Sequence, residues 1–152
     1  MNMDSQIRVR TEARFGRLYN DLRNLIVGEF HELFFVCTTL GHQTGRQVAL
    51  AKPSDRFWSA TIEPREWSCY YAMVLKAGGF DYEALADDRR VISLAEEYAN
   101  GGMEVLIEDF LGEYLLPGSQ DEPQLDVRCS KELPKHFIHF LYERAQGPAT
   151  GG

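Results

Sequence analysis

The feature that most constrains the fold is an apolar helical repeat that runs through two adjacent glycines. From Val91 to Phe110 the apolar side chains keep one helical register, although Gly101 and Gly102 lie in the middle of it. Each glycine inside a helix costs about 1 kcal/mol relative to alanine, so two short helices are the alternative. The unbroken phase favours one long helix, in which the missing side chains would let another backbone approach closely.

Four other segments show helical periodicity. Apolar residues from Phe15 to Leu25 repeat at intervals of three and four, and Gly28 follows them. The next helix should begin near Glu29, end at Gly41 and be central, because it is apolar nearly all round. Two further helices are predicted around Trp67 to Leu75 and Leu133 to Leu141. Each has a proline in its first turn, where proline is tolerated.

These patterns predict a mostly α fold: a compact bundle of five to six helices with one short extended or β crossover segment around residues 46–62. We expect one domain over residues 1–146 and a flexible C-terminal tail over 147–152. No apolar run approaches the roughly 20 residues of a membrane span. The N-terminus lacks the apolar core of a signal peptide, which predicts a cytoplasmic protein with reduced cysteines.

Charge is divided unevenly along the chain. The net charge is −7, but residues 1–65 hold nine Lys/Arg against seven Asp/Glu, whereas residues 66–152 hold seven against sixteen. A mildly basic first part allows phosphate contacts, and Trp58 could stack on a base. The alternative, favoured by composition alone, is that these cations pair with nearby carboxylates. The candidate nucleic-acid-binding residues are Arg8, Arg10, Arg14, Arg17, Arg46, Lys52 and Arg56.

Carboxylates and histidines are the other candidates for chemistry. The acidic residues of the long helix are expected to form a solvated face, with docking of a basic partner as the next interpretation. The candidate docking residues are Glu97, Gly101, Gly102, Glu104 and Glu108. His31 lacks the second histidine of a zinc helix motif, and His136 and His139 lack a partner cluster. We therefore predict no catalytic residue, metal or cofactor.

Three segments resemble one family when taken in order: FFVCTTLGHQTGRQVAL, FWSATIEPREW and AEEYANGGMEVL. Together they are similar to the small Dnd system-associated proteins, which are linked to bacterial DNA phosphorothioation and restriction. The resemblance covers roughly residues 15–110, and its most specific element runs from Glu96 to Leu106. It implies a component of an antiviral restriction-modification system. A weaker likeness to that machinery's small DNA-binding subunit is limited by the acidic second half of this chain.

The resulting hypothesis is a non-catalytic accessory protein, not an enzyme. It would dock other subunits of the defence system and bind double-stranded DNA, without membrane contact, and self-association is a further expectation. One alternative is a metal-dependent DNA nickase or endonuclease subunit that uses the acidic helix with His136 and His139. The other is a transcriptional regulator, which would need a basic recognition helix.

Overall fold

The computed structural model describes residues 6–129 and 131–146, which confirm the mostly α class. The predicted tail over 147–152 lies outside the described residues. Five α-helices and one antiparallel pair of strands make up the framework, joined by short 3₁₀ and π turns. They are β1 (Arg8–Glu12), α1 (Gly16–Leu22), α2 (Phe30–Thr44), β2 (Pro53–Trp58), α3 (Pro64–Ala77), α4 (Asp88–Asp109) and α5 (Leu133–Ala145).

The long helix α4 is the centre of the fold. It is continuous through Gly101 and Gly102, as the apolar register predicts, and it packs against α2, α3 and β1. The prediction that α2 is central and buried nearly all round is confirmed as well, because it packs along α4 and none of residues 30–42 is exposed. Polar positions of α4 also face other elements instead of solvent. Glu96 and Asn100 are each 5% exposed, and they lie one helical turn apart on the same buried side.

The crossing of α2 and α4 brings two backbones into direct contact. A Cβ atom on Gly102 would lie 1.6 Å from the carbonyl oxygen of Cys37, and one on Gly41 would lie 2.0 Å from that of Tyr98. Gly41 is therefore a packing residue and not the end of α2. The helix continues to Thr44 and ends at Gly45, whose φ of 71° is a left-handed conformation that glycine adopts readily.

The sequence did not predict the first strand. β1 pairs with β2 through Val9 opposite Phe57, and a register shift follows between Val9 and Arg10. Val9 and Phe57 are buried, and Phe57 meets Phe34 of α2 edge to face at 5.3 Å. The predicted extended segment from Arg56 to Ile62 is correct only in its first half, because the chain turns into a 3₁₀ helix at Ser59–Thr61.

The C-terminal helix α5 closes the core at the end of α4. Phe137 is 1% exposed, and its ring centroid lies 5.8 Å from that of Phe110. Cys37 and Cys69 are free thiols, as predicted. None of the helices in the described ranges is long and apolar enough to cross a membrane.

Candidate nucleic-acid interface

Three carboxylates of α4 bond the crossover segment from a partly exposed face of the helix. Glu97 accepts a 2.6 Å hydrogen bond from the amide of Gln47. Glu108 accepts one of 2.8 Å from the Arg46 guanidinium, which also lies 3.7 Å from Glu104. The hydrogen bond from Arg46 lowers the pKa of Glu108. These three predicted docking residues thus already have partners, although the side chain of Glu108 stays 57% exposed.

The other two predicted docking residues are not accessible. Gly101 and Gly102 are buried within the chain, against the carbonyls of Arg46 and Cys37 respectively. The expected close approach of a second backbone is confirmed, but that backbone is part of the same chain. The prediction that Gly101 and Gly102 lie on a partner surface is therefore wrong.

A buried polar cluster joins α4, β1 and the crossover. The carboxylate of Glu12 accepts the backbone N–H groups of Ala51 at 2.8 Å and Lys52 at 2.7 Å, and it lies 3.4 Å from the amide nitrogen of Asn100. One turn earlier, Glu96 accepts the backbone N–H of Arg10 at 2.7 Å. Burial raises the pKa of Glu96, although this hydrogen bond opposes the shift.

Most of the predicted nucleic-acid-binding residues pair with acidic groups of the same chain. Arg8 lies 3.5 Å from Asp55, Arg10 lies 3.8 Å from Glu96, and Arg17 lies 3.3 Å from Asp21. Arg46 is held by Glu104 and Glu108, as described above. Arg14 lies over the ring of Phe15, and Lys52 bonds Glu12 through its backbone only. Such pairs leave little free positive charge for phosphates.

Arg56, like the side chains of Arg14 and Lys52, has no ion pair among the described residues, and it has neighbours that the sequence did not indicate. The guanidinium of Arg56 lies 6.0 Å from the ring centroid of Phe30. The guanidinium of Arg23 lies 4.7 Å from the same ring centroid. Arg8 lies 4.6 Å over the ring of Trp58 on the adjoining strand pair. We call Arg8, Arg23, Arg56, Phe30 and Trp58 the arginine–aromatic surface.

This surface carries uncompensated positive charge. Among the described residues, neither Arg23 nor Arg56 has a carboxylate within ion-pair distance, and Arg56 instead donates a 3.0 Å hydrogen bond to Thr11. Burial lowers the pKa of Arg56, and the nearby charge of Arg8 lowers it further. Gly16 makes room for the guanidinium, since a Cβ there would lie 3.0 Å from its Nη2 atom. Arg23 was not a candidate because it lies far from Arg56 in sequence.

The histidines do not assemble as the nuclease alternative requires. His136 bonds the hydroxyl of Tyr114 at 2.5 Å, and His139 pairs with Glu143 on α5. A different group of potential metal ligands does come together, namely His31, Glu63 and Glu66. Nothing in the sequence around His31 indicated those partners, because they lie on α3 and the residue before it.

No family model, curated protein or solved structure matches this chain.

Proposed function

We propose that this chain is a non-catalytic accessory protein of a phosphorothioation-linked DNA modification or restriction system, and that it contacts DNA through the arginine–aromatic surface. The observation that supports DNA contact is the group of three guanidiniums on aromatic rings, with Asp55 as their one carboxylate partner among the described residues. The link to the defence system rests on the resemblance of the segment from Glu96 to Leu106.

The chemistry of the surface suits a nucleic-acid backbone. Arginine donates several hydrogen bonds in a planar fork that matches phosphate oxygens, and Arg8 and Arg23 are accessible enough to do so. Trp58 is 47% exposed, so its free face is available to stack on a base. A single strand, or a duplex opened at a nick, presents unstacked bases and should bind more tightly than an intact duplex.

The overall charge limits binding to this region. Residues 66–152 carry a net charge of −9, from seven basic and sixteen acidic residues, so most of the remaining chain repels a polyanion. Affinity should therefore be modest and strongly dependent on salt.

Docking to other subunits is supported by a separate region. Ile138 and Tyr142 lie four residues apart on α5 and are 63% and 65% exposed. Two large apolar side chains on one face of a helix are typical of a contact with another protein. Glu108, on the neighbouring end of α4, could add an ion pair with a basic partner if it released Arg46.

Fluorescence anisotropy with labelled intact duplex, nicked duplex and single strand, at several salt concentrations, tests the DNA part. We expect Arg23→Gln to weaken binding several-fold and to lower the slope of log K against log salt by about one, as the loss of one phosphate contact requires. Trp58→Ala should weaken single-strand binding more than duplex binding. Arg128→Gln is the matched control, because Arg128 is an exposed arginine paired with Asp126 on another part of the chain.

Two results would overturn the proposal. One is the absence of salt-sensitive binding by the unmodified chain to any of the three probes. The other is an equal loss of affinity in Arg23→Gln and Arg128→Gln, which would indicate attraction by general charge instead of a defined surface.

A further inference from the structure

Three potential metal ligands from two parts of the chain converge at the start of α2 and α3. His31 lies in the first turn of α2, Glu63 immediately precedes α3, and Glu66 lies in its first turn. One ligand atom from each residue lies within 4.8 Å of the others. We propose that His31, Glu63 and Glu66 bind one divalent first-row transition-metal ion.

The ligand atoms lie near enough to one another that side-chain movements would let all three bind one such ion. Imidazole nitrogen and carboxylate oxygen bind zinc at about 2.0–2.2 Å, which places neighbouring ligand atoms about 3–3.5 Å apart. The Nδ1 atom of His31 and the Oε1 atom of Glu66 are already 2.9 Å apart. Glu63 is exposed, so its carboxylate can approach without disturbing the core.

The burial of Glu66 calls for a positive partner. The residue is 1% exposed, and among residues 6–129 and 131–146 no Lys or Arg lies within ion-pair distance of its carboxylate. A buried carboxylate is costly unless a cation or several hydrogen bonds compensate it. Its Oε1 atom accepts the backbone N–H of Glu63 at 3.0 Å and contacts His31. Among the described residues its one potential cation is His31, which is charged only when protonated, and a metal ion bound by both side chains would supply that charge instead.

Local structure orients both glutamates before any ion arrives. Glu63 and Glu66 form a capping box, in which the side chain of each accepts the backbone N–H of the other. The capping bond to Glu66 is accepted by its Oε1 atom, so this motif leaves the Oε2 atom of Glu66 unused. The 3.4 Å pair between Arg65 and Glu63 is exposed and weak, so it should compete little with a metal.

The ligand set selects the class of metal. One imidazole and two carboxylates carry a charge of −2, which neutralises a divalent ion. Imidazole favours zinc, iron and related metals over Mg²⁺ and Ca²⁺, while the carboxylates also suit Mn²⁺. Three protein ligands leave at least one coordination position for water. The site does not depend on DNA binding, although His31 directly follows Phe30 of the arginine–aromatic surface.

Titration of the chelator-treated protein with Co²⁺ in the absence of DNA provides the test, because visible absorption reports the ligands and geometry of this ion. We expect one Co²⁺ per chain, displaced by Zn²⁺ and not by Mg²⁺. His31→Gln and Glu63→Gln should each weaken binding at least tenfold. His139→Gln, which removes an exposed histidine that also pairs with a glutamate, should bind as the unmodified chain does.

Each result of the Co²⁺ titration either supports or overturns the proposed metal site. Absence of saturable binding by the unmodified chain overturns the proposal, as does an unchanged affinity in both His31→Gln and Glu63→Gln. Loss of binding in His139→Gln alone would place the metal on α5 and also overturn it. Glu63→Gln alters an exposed side chain, so a folding defect, checked by circular dichroism, should not obscure the result. Metal binding without DNA binding would leave this site intact while refuting the proposed function.

Discussion

Replacing Gly102 by alanine should destabilise the protein strongly, although the same change usually stabilises a helix. The added Cβ would lie 1.6 Å from the carbonyl oxygen of Cys37, whereas ordinary contacts begin at 3.4 Å. The two helices would have to separate by about 1.8 Å, the difference of those distances. Alanine improves helix propensity by about 1 kcal/mol, but overpacking costs about 1–3 kcal/mol or more. A backbone carbonyl cannot move aside by changing rotamer, so the cost should reach at least the upper end of this range, and we expect a net loss of at least about 2 kcal/mol.

Urea denaturation followed by far-ultraviolet circular dichroism measures this loss. Gly78→Ala is the matched control, because a Cβ at Gly78 would meet its nearest atom, the carbonyl oxygen of Val74, at 3.4 Å. The control should change the free energy of unfolding by less than about 0.5 kcal/mol. A Gly102→Ala variant with a urea midpoint equal to or above that of the unmodified chain would refute the backbone contact between α2 and α4.

Three further predictions concern the core. Glu12→Gln should lower the free energy of unfolding by about 2 kcal/mol, because it weakens the charge-assisted hydrogen bonds from the backbone of Ala51 and Lys52. An unchanged urea midpoint would contradict this prediction. Burial raises the pKa of Cys37 from 9.0 to about 12, so the folded state keeps a proton that the unfolded state has lost. The free energy of unfolding should therefore fall as pH rises from about 9 to 12, by up to about 1.4 kcal/mol per pH unit from this thiol. The fall should be less steep in Cys37→Ala. Equal slopes in the two proteins would refute the raised pKa of Cys37. Phe137→Ala should lower the free energy of unfolding by about 3–5 kcal/mol, because this ring is buried, whereas the exposed Ile138→Ala should lower it by less than about 0.5 kcal/mol. Similar losses in the two variants would show that α5 packs with a different face toward the core.

Local patterns predicted the helices well. The apolar register of α4 and the proline at the start of α3 depend on neighbours in sequence, and both helices lie where expected. β1 could not be found in the same way. Val9 is its one apolar residue, and the segment becomes a strand by pairing Glu12 with Pro53 and Arg8 with Trp58, which are far away along the chain.

Polar residues with partners far away in sequence explain the other differences between the sequence predictions and the structure. Glu96 was assigned to solvent with the other acidic residues of the long helix, yet it accepts the backbone N–H of Arg10 in the interior. The buried amide of Asn100 likewise bonds Glu12 of β1. For the same reason the sequence suggested Arg56 but not Arg23, since Phe30 brings the two together only in the folded chain. The proposed metal ligands are a further case, because a capping box gives no indication of a histidine on another helix.

The glycine crossing has a mechanical consequence. α2 is fixed to α4 by backbone contact at Cys37 and Gly41, and the carbonyl of Arg46, just beyond the helix, lies against Gly101 in the same way. The C-terminal half of α2 is therefore held at three places. With a rise of about 1.5 Å per residue, Phe30 lies roughly 10 Å from the nearest of these contacts, that of Cys37. A ligand that bound the first turn of α2 should therefore displace only that end of the helix and leave the ion pair between Arg46 and Glu108 in place.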